Sequence, residues 1–371
     1  MKIKYILTLM VLILIYSDLL VAQSLKNSFY RRIDLETGIG MQTWSAGDDR
    51  ITEISIPVIF IVPVNKNLTL SAVTNNAMAN LKSADNNLNG LTDSRITGTY
   101  ITPDDHFLFT AGFTLPTGKT RLGGDQSSVA SALALYPLSF NVPSFGQGFS
   151  ADFSGVCAYQ VDNYILGGGL AFVYKNGFKP YTNYDSKYKP GSEFSINAGG
   201  ETNAKNRGPV KFTLDLTYTI YGADSFEGTN IFKSGSKFIG VLRSLFQVSK
   251  TDLMFYALER TKGKNDRGIG TLLTEDRNSN GNQLEFGGIS YSPMSSKFGL
   301  KGVFDLKLYS KNAYEMNGAF IAGLGAGFNY YFSNSISVDM LFKFSTGSLK
   351  NKNESTTVTG IEIGGGIKFM L

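Results

Sequence analysis

The feature that most constrains this chain is the alternation of side-chain character along its extended segments, and the last segment, residues 358–371, shows it best. Ile361, Ile363 and Ile367 occupy one set of alternate positions, and small or charged residues such as Glu362 and Lys368 occupy the other. Successive side chains of a β-strand point to opposite faces, so this strand separates an apolar surrounding from a polar one. Both a soluble β-sandwich and a membrane β-barrel offer such a boundary.

Strand length separates these two fold classes. Comparable alternation runs through residues 210–221, 298–309 and 336–345. Strands of soluble proteins centre on about five or six residues, whereas a tilted strand needs about nine to eleven residues to cross a bilayer. Because the alternating segments reach the second length, the sequence predicts an all-β fold, a transmembrane antiparallel up-and-down β-barrel.

The predicted barrel has sixteen strands, joined alternately by short turns and by long polar loops. An even strand number places both chain ends on the periplasmic side, together with the short turns. Fourteen strands remain an alternative, because the first, eleventh and twelfth segments alternate less regularly. The predicted strands lie near residues 34–44, 50–64, 67–76, 92–102, 106–117, 148–161, 163–177, 194–204, 209–222, 236–249, 252–262, 283–293, 297–310, 318–332, 334–346 and 357–371. The predicted long loops are 77–92, 119–148, 178–193, 261–282 and 346–357.

The N-terminal residues predict export. Lys2 and Lys4 precede an apolar run at residues 6–15, and the small-residue pattern ending at Ala22 is typical of a signal-peptide cleavage site. We predict a signal peptide over residues 1–22, a short periplasmic segment over 23–33 and the outer-membrane barrel over 34–371. The apolar C-terminus resembles the signal by which bacterial outer-membrane barrels are recognised. This likeness implies the barrel-assembly machinery and outer-membrane lipid as partners, and the outer membrane of a Gram-negative bacterium as the location.

Charge and residue usage exclude several classes of function. The net charge of +5 is spread along the chain without a basic cluster, so nucleic acid is not an expected partner. The single histidine, His106, adjoins a predicted turn far from the loop serines, so a Ser-His hydrolase is not expected. We predict no enzymatic activity and no cofactor. The single cysteine, Cys157, shares a strand face with Phe153 and Tyr159 and is predicted to be a small lipid-facing side chain.

Two loops, residues 85–90 and 276–281, contain the pattern Asp-x-Asn-x-Asn-Gly with which a calcium loop begins. The acidic residue that should stand twelfth is missing from both, because Ile96 and Gly287 occupy those positions. The sequence favours ordinary turn formation over a metal site, and it leaves cation binding by these loops open.

Charged residues of both signs occupy the inward positions of the predicted strands. They can line a selective polar path, or they can pair across neighbouring strands and fill the interior, and both arrangements can coexist. Glycine clusters at 167–169, 323–327 and 364–366, together with Pro57, indicate either wall curvature with small inward residues or a lateral opening. The candidate lumen residues are Lys211, Asp215, Arg243, Lys301, Asp305, Lys307, Asp339, Lys343, Glu362 and Lys368.

One stretch carries a family resemblance. Residues 90–100 read Gly-Leu-Thr-Asp-Ser-Arg-Ile-Thr-Gly-Thr-Tyr, and an apolar strand at 107–113 is followed by Leu-Pro-Thr-Gly at 115–118. This sequence pattern resembles that of the outer-membrane barrels of the MetA-pathway phenol-degradation type, which are distantly similar to the long-chain fatty-acid transporter barrels. The resemblance implies passive uptake of small, often hydrophobic molecules. Fatty-acid transporters carry a sizeable N-terminal plug, whereas only residues 23–33 precede the first predicted strand here.

Without such a plug, the loop 119–148 is the candidate constriction, and its portion 127–136 is predicted to form a short helix in the barrel mouth. We therefore expect a passive channel or transporter for small hydrophobic or amphipathic molecules. The alternative is a non-conducting structural or surface-interaction barrel, whose interior is blocked by ion pairs and by the same loop. The identity of the solute and the oligomeric state are left open.

Overall fold

A computed structural model describes residues 32–85, 87–202 and 210–371 of the chain. The predicted signal peptide lies outside the described residues, as does most of the predicted segment 23–33. The described residues form a closed antiparallel barrel of sixteen strands. This confirms the predicted fold class, and the alternative of fourteen strands is wrong.

The barrel strands follow one another around the wall in chain order, with one addition. The short β4 pairs with β3 beyond the point at which β5 takes over that pairing, so β4 and β5 together make one strand position. The elements are β1 Asp34–Ala46, β2 Asp49–Pro63, β3 Leu68–Leu81, β4 Leu88–Leu91, β5 Ser94–Ile101, β6 Phe107–Leu115, α1 Gly124–Leu133, a 3-10 turn Tyr136–Leu138, β7 Ser150–Val161, β8 Tyr164–Lys175, β9 Tyr188–Lys189, β10 Glu193–Thr202, β11 Val210–Tyr221, β12 Ala223–Phe226, β13 Thr229–Lys233, β14 Lys237–Val248, β15 Thr251–Lys262, β16 Asp266–Arg267, β17 Leu273–Thr274, β18 Gln283–Pro293, β19 Phe298–Tyr309, β20 Gly318–Ser333, β21 Ile336–Asn351 and β22 Glu354–Met370.

The last strand closes the barrel against the first. β22 pairs antiparallel with β1 from Asp34 opposite Met370 to Ala46 opposite Val358, and the Ile33 amide donates to the Leu371 carbonyl at 3.2 Å. Both ends of the described barrel therefore lie at the end that carries the short turns, which we call the turn end. The opposite end is the loop end. Closure leaves no unpaired sheet edge, which is the condition for a sheet to stand in lipid.

The side chains that alternate in the sequence lie on opposite faces of the wall, with the apolar set on the outer face and the small or charged set on the inner face. On the outer face of β22, Ile361, Ile363 and Ile367 remain 40%, 39% and 40% exposed, as predicted. Phe153 and Tyr159 are exposed on the outer face of β7, and Cys157 lies between them on the same face of the strand. An outer surface of large apolar side chains is typical of a barrel surrounded by lipid.

The predicted loop 346–357 is wrong. β21 and β22 continue through it as a hairpin and leave only a two-residue turn, in which Lys352 takes a positive φ of 48°. In the same way β3 runs on to Leu81, inside the predicted loop 77–92. Beyond the apolar belt both faces of a strand meet polar surroundings, so the ladder continues after the alternation in the sequence has faded.

The long loops of one side build a second, five-stranded sheet from β9, β12, β13, β16 and β17 at the loop end. The Tyr188 hydroxyl on β9 donates to Asp224 Oδ2 on β12 at 2.6 Å. Burial and the neighbouring Asp224 carboxylate raise the pKa of Tyr188. The predicted loops 178–193 and 261–282 thus contain short strands that pair with one another and with β12 and β13.

The segment 116–149, which we call the plug, folds into the barrel and carries α1. Val129 and Leu133 of α1 are fully buried, at 0% and 1% exposure, so the prediction of a short helix in the mouth is confirmed, three residues before the predicted position. No helix in the described ranges is long and apolar enough to span a membrane. The plug packs against inward side chains of β1–β4, β20 and β22, namely Trp44, Ile51, Ala77, Ala79, Leu88, Ile321 and Val358. We call these strands the plug-bearing wall.

Candidate functional site

The candidate site is the barrel lumen, where the predicted charged residues lie on the inner face of the wall. All of them except Lys307 form ion pairs. Lys211 Nζ lies 2.8 Å from Glu201 Oε2, Lys343 Nζ lies 2.8 Å from Asp305 Oδ1 and 3.5 Å from Glu362 Oε2, and Lys368 Nζ lies 2.6 Å from Glu36 Oε1 and 3.0 Å from Asp34 Oδ2. Arg243 pairs with Asp215, and Lys301 pairs with Asp339. The predicted pairing across strands is therefore present, whereas a role in selectivity stays a prediction.

Three acidic partners in these pairs were missed from the sequence, namely Asp34, Glu36 and Glu201. The signal for them was available, because Glu36 stands directly opposite Lys368 in the register of β1 and β22. Glu201 has the same inward parity on β10 as Glu193 and Asn197. Their strands were predicted correctly, so the inward positions could have been read from the alternation.

A glycine allows one of these pairs to reach across a strand. Lys343 on β21 meets Asp305 on β19 across β20, on which Gly323 stands opposite Asp305 on one side and Ser345 on the other. A Cβ on Gly323 would stand 2.8 Å from Asp305 Oδ1 and 2.9 Å from the Ser345 hydroxyl oxygen. The missing side chain leaves room for the carboxylate, which favours the interpretation of this glycine as a small inward residue over that of a lateral opening.

The plug is tied to the wall by polar side chains as well as by its apolar core. The amide of Val142 donates to Glu53 Oε2 at 3.0 Å, and the amide of Asn141 donates to Gln42 Oε1 at 2.7 Å. At the base of the plug, Asp93 accepts hydrogen bonds from the amides of Gly118, at 2.9 Å, and Gln147, at 2.7 Å. These acceptors hold the plug at its two ends and at residues 141–142. Neither Gln42, Glu53 nor Asp93 was among the predicted site residues.

On its other side the plug reaches β15 and β19. The guanidinium carbon of Arg260 lies 4.0 Å from the centre of the Tyr136 ring, which meets the Tyr309 ring edge-on at 5.9 Å between centroids. Lys307, the one predicted lumen residue outside an ion pair, donates to the Ser139 hydroxyl at 2.7 Å. Arg260 shares the inner face of β14 and β15 with Lys237 and Lys262. We call this pair of strands the basic wall.

The space beside the plug is polar. A cavity of about 290 Å³ lies between the plug and the strands from β3 to β8, bounded among others by Asn75, Asp93, Asn141 and Lys175. Lys175 Nζ lies 2.5 Å from Glu193 Oε1, so the charge on this boundary is neutralised. A polar, partly enclosed space of this kind can hold water and small solutes.

The remaining sequence candidates lie away from the lumen. His106 stands in the turn between β5 and β6, where its Nδ1 lies 3.3 Å from Asp104 Oδ2. In the loop 276–281, the side-chain amides of Asn278 and Asn280 donate to the carbonyls of Lys262 and Gly263, at 2.9 and 2.8 Å. These bonds give the loop a structural role, and the part of the chain that the structure describes contains no group of three or more residues able to hold a metal ion.

No family model matches the sequence, and no curated protein matches it. Solved structures similar to the chain include a bacterial polysaccharide outer membrane secretin, with 10% identity, a TM-score of 0.47, and coverage of 93% of this chain and 100% of that one. CdiB from Acinetobacter baumannii has 10% identity and a TM-score of 0.49, and the match covers 91% of this chain and 60% of CdiB. An outer membrane channel from Pseudomonas putida F1 has 8% identity and a TM-score of 0.40, covering 94% and 100%. At such identities and TM-scores the likeness assigns no solute to this chain and no role to any residue. The resemblance to the MetA-pathway family stays a prediction.

Proposed function

We propose that the chain is a passive channel for small molecules in the outer membrane of a Gram-negative bacterium, without enzymatic activity. The observation that carries the proposal is a closed barrel of sixteen strands into which the plug folds with its ten-residue helix α1. Barrels of sixteen to eighteen strands have an interior wide enough for an aqueous channel. The plug narrows this channel, and the apolar outer face supports placement in lipid after delivery by the barrel-assembly machinery.

The inner wall supports an amphipathic solute more than a purely hydrophobic one. Charged groups alternate around the lumen, and aromatic rings occur where the plug meets the wall, as with Tyr136 and Tyr309. Ion pairs and aromatic faces side by side suit a molecule that has both a polar and an apolar part. A purely apolar molecule would have to displace water from paired charges without replacing their interactions.

The experiment is conductance of the purified protein in planar lipid bilayers, with a plug-shortened variant as the comparison. Excision is feasible because the two ends of the plug meet: Thr120 Cγ2 lies 3.1 Å from the position that a Cβ on Gly146 would take. Residues 121–144 are replaced by a short Gly-Ser linker, which leaves Asp93 its contacts with Gly118 and Gln147. We expect single-channel steps from the full chain and larger steps from the variant.

The alternative function, a non-conducting structural or surface-interaction barrel, is favoured by the same ion pairs and by the packed plug. It predicts that the full chain is silent while the plug-shortened variant conducts. Silence of both proteins, in preparations that still show the heat-dependent gel migration of a folded barrel, would contradict the channel altogether.

A further inference from the structure

Most cations on the inner wall have a carboxylate partner, and Lys307 donates to the Ser139 hydroxyl instead. Three neighbouring cations on β14 and β15 have neither kind of contact among the described residues. Lys175, Lys211, Arg243, Lys301, Lys343 and Lys368 all lie within ion-pair distance of an acid. Among the described residues, no carboxylate oxygen lies within ion-pair distance of Lys237, Arg260 or Lys262. We propose that these three side chains form a binding site for small organic anions in the solute path, an inference that rests on the proposed channel function.

The register of the basic wall brings the three cations together. Lys237 stands directly opposite Lys262 on the paired strands β14 and β15, and Arg260 is two residues before Lys262, on the same inner face. Directly opposed side chains have Cβ atoms about 4.5–5.5 Å apart, and like charges in such positions repel each other. All three side chains are partly buried, so water screens this repulsion incompletely. A bound anion would remove it.

Four acids near the cluster have other partners. Glu275 Oε1 accepts hydrogen bonds from the amides of Asn265, at 2.9 Å, and Ser279, at 3.0 Å, and Asp224 Oδ2 accepts one from the Tyr188 hydroxyl at 2.6 Å. Glu193 Oε1 lies 2.5 Å from Lys175 Nζ, and Glu285 Oε1 accepts hydrogen bonds from Gln283 Nε2 at 2.5 Å and from the Tyr309 hydroxyl at 3.2 Å. These four carboxylates shape the surroundings of the cluster, but none of them lies within ion-pair distance of Lys237, Arg260 or Lys262. The positive charge therefore remains available to a solute.

Aromatic rings define the rest of the proposed site. The Arg260 guanidinium lies over the Tyr136 ring at 4.0 Å, which leaves the N–H groups along its edge free to meet a carboxylate with two parallel hydrogen bonds. Lys237 Nζ lies 5.7 Å from the centre of the Tyr221 ring. Cations above rings, with further ring surface beside them, suit an anion that carries a flat apolar body. The chemical class is a small aromatic carboxylate.

The test is ion selectivity and block of the full-length channel, with benzoate as the anion and benzyl alcohol as the neutral match. The reversal potential in a KCl gradient gives the ratio of chloride to potassium permeability. The test variant is Lys237→Gln/Arg260→Gln/Lys262→Gln. The control variant, Lys66→Gln/Lys250→Gln/Lys297→Gln, removes the same net charge from exposed lysines in the turns at the other end of the barrel.

We expect the wild-type protein to prefer anions, and benzoate but not benzyl alcohol to reduce its current. The test variant should lose the preference, and its benzoate affinity should fall by roughly tenfold to a hundredfold, as the loss of charged hydrogen bonds entails. The control variant should keep both properties. A channel that conducts without anion preference, or a preference that survives in the test variant, would overturn the anion site and leave the channel intact.

If the protein does not conduct, the channel proposal fails and the anion site is tested separately. Benzoate binding to the detergent-solubilised full chain is then measured by calorimetry for the wild type and both variants. Binding that the test variant alone abolishes would support the site in a closed barrel. Absence of benzoate binding to the wild type, or equal binding to all three proteins, would overturn it.

Discussion

The plug-bearing wall and the basic wall share one backbone ladder but differ in what their inner positions contain. At the loop end the plug-bearing wall presents apolar or small residues such as Trp44, Ile51 and Ala79, and the plug covers them. At the same end the basic wall presents Lys237, Arg260 and Lys262, and the plug contacts Arg260 through the Tyr136 ring. Apolar inner positions drive a loop to fold against the wall, whereas charged positions keep water there.

This difference gives the lumen two unlike sides, one apolar and covered by the plug, the other charged. Charges pair among β19, β21 and β22, which flank the plug-bearing wall or belong to it, and β2 and β1 of that wall provide Glu53 and Gln42 as acceptors for the plug. The basic wall leaves Lys237 and Lys262 in direct opposition, an arrangement that costs stability and that no carboxylate of the described residues offsets by an ion pair. We expect paired charge to stabilise the wall, and we propose that unpaired charge is available to a solute.

The largest expected effect of a substitution on the free energy of unfolding is at Lys343, which joins Asp305 and Glu362. Lys343→Met leaves two partly buried carboxylates without a cation, and such a loss costs roughly 3–5 kcal/mol. The measurement is denaturant unfolding of the barrel in detergent micelles. Lys350→Met, at an exposed position on the same strand, is the matched control and should change little.

The same substitution in the basic wall should act in the opposite direction. Lys262→Met removes the like charge that faces Lys237. We expect the free energy of unfolding to stay unchanged or to rise, because a repulsion is lost and no ion pair is broken. Equal destabilisation by Lys343→Met and Lys262→Met would contradict the distinction between paired and unpaired charge.

The second expected effect is on the plug rather than on the barrel. Leu133 of α1 is 1% exposed within the core that joins the plug to its wall. Leu133→Ala should weaken docking of the plug by roughly 2–5 kcal/mol, the usual cost of emptying a fully buried leucine site. Limited proteolysis from the loop side should then cut within the plug, while the heat-dependent gel migration of the barrel is retained.

Leu135→Ala is the control for that experiment, because Leu135 lies two residues beyond the same helix and is 48% exposed. Its cleavage pattern should match that of the wild type. If Leu133→Ala unfolds the barrel together with the plug, the plug is an integral part of the wall and the separation of the two regions is wrong.

The strands could be predicted from the sequence because their alternation is local, and the plug contacts could not. β1 and β18 begin at the predicted residues Asp34 and Gln283. The bonds from Glu53 to Val142 and from Gln42 to Asn141 join residues 89 and 99 positions apart. Their pairing depends on where the plug packs against the wall. The two-residue alternation of side chains along a strand carries no information about that position.

The predicted lumen residues show the same limit on a smaller scale. Alternation placed Lys343 and Asp305 on the inner face, but their contact crosses β20 and depends on the absence of a side chain at Gly323. The three unpaired cations were missing from the prediction because all of them stand at strand ends, where the alternation of the apolar belt has stopped.

The smallest expected effect isolates the polar attachment of the plug from its apolar core. Glu53 is 1% exposed, and its Oε2 accepts the hydrogen bond from the Val142 amide at 3.0 Å. Glu53→Leu should cost roughly 1–3 kcal/mol of docking free energy, because it leaves a buried donor unsatisfied. Glu53→Gln retains an oxygen acceptor and should cost less. The measurement is hydrogen exchange at the Val142 amide, which we expect to be fastest in Glu53→Leu, intermediate in Glu53→Gln and slowest in the wild type. Equal exchange in all three proteins would mean that apolar packing alone holds the plug. Glu53 would then contribute as little to the stability of the plug as we expect Lys262 to contribute to that of the barrel.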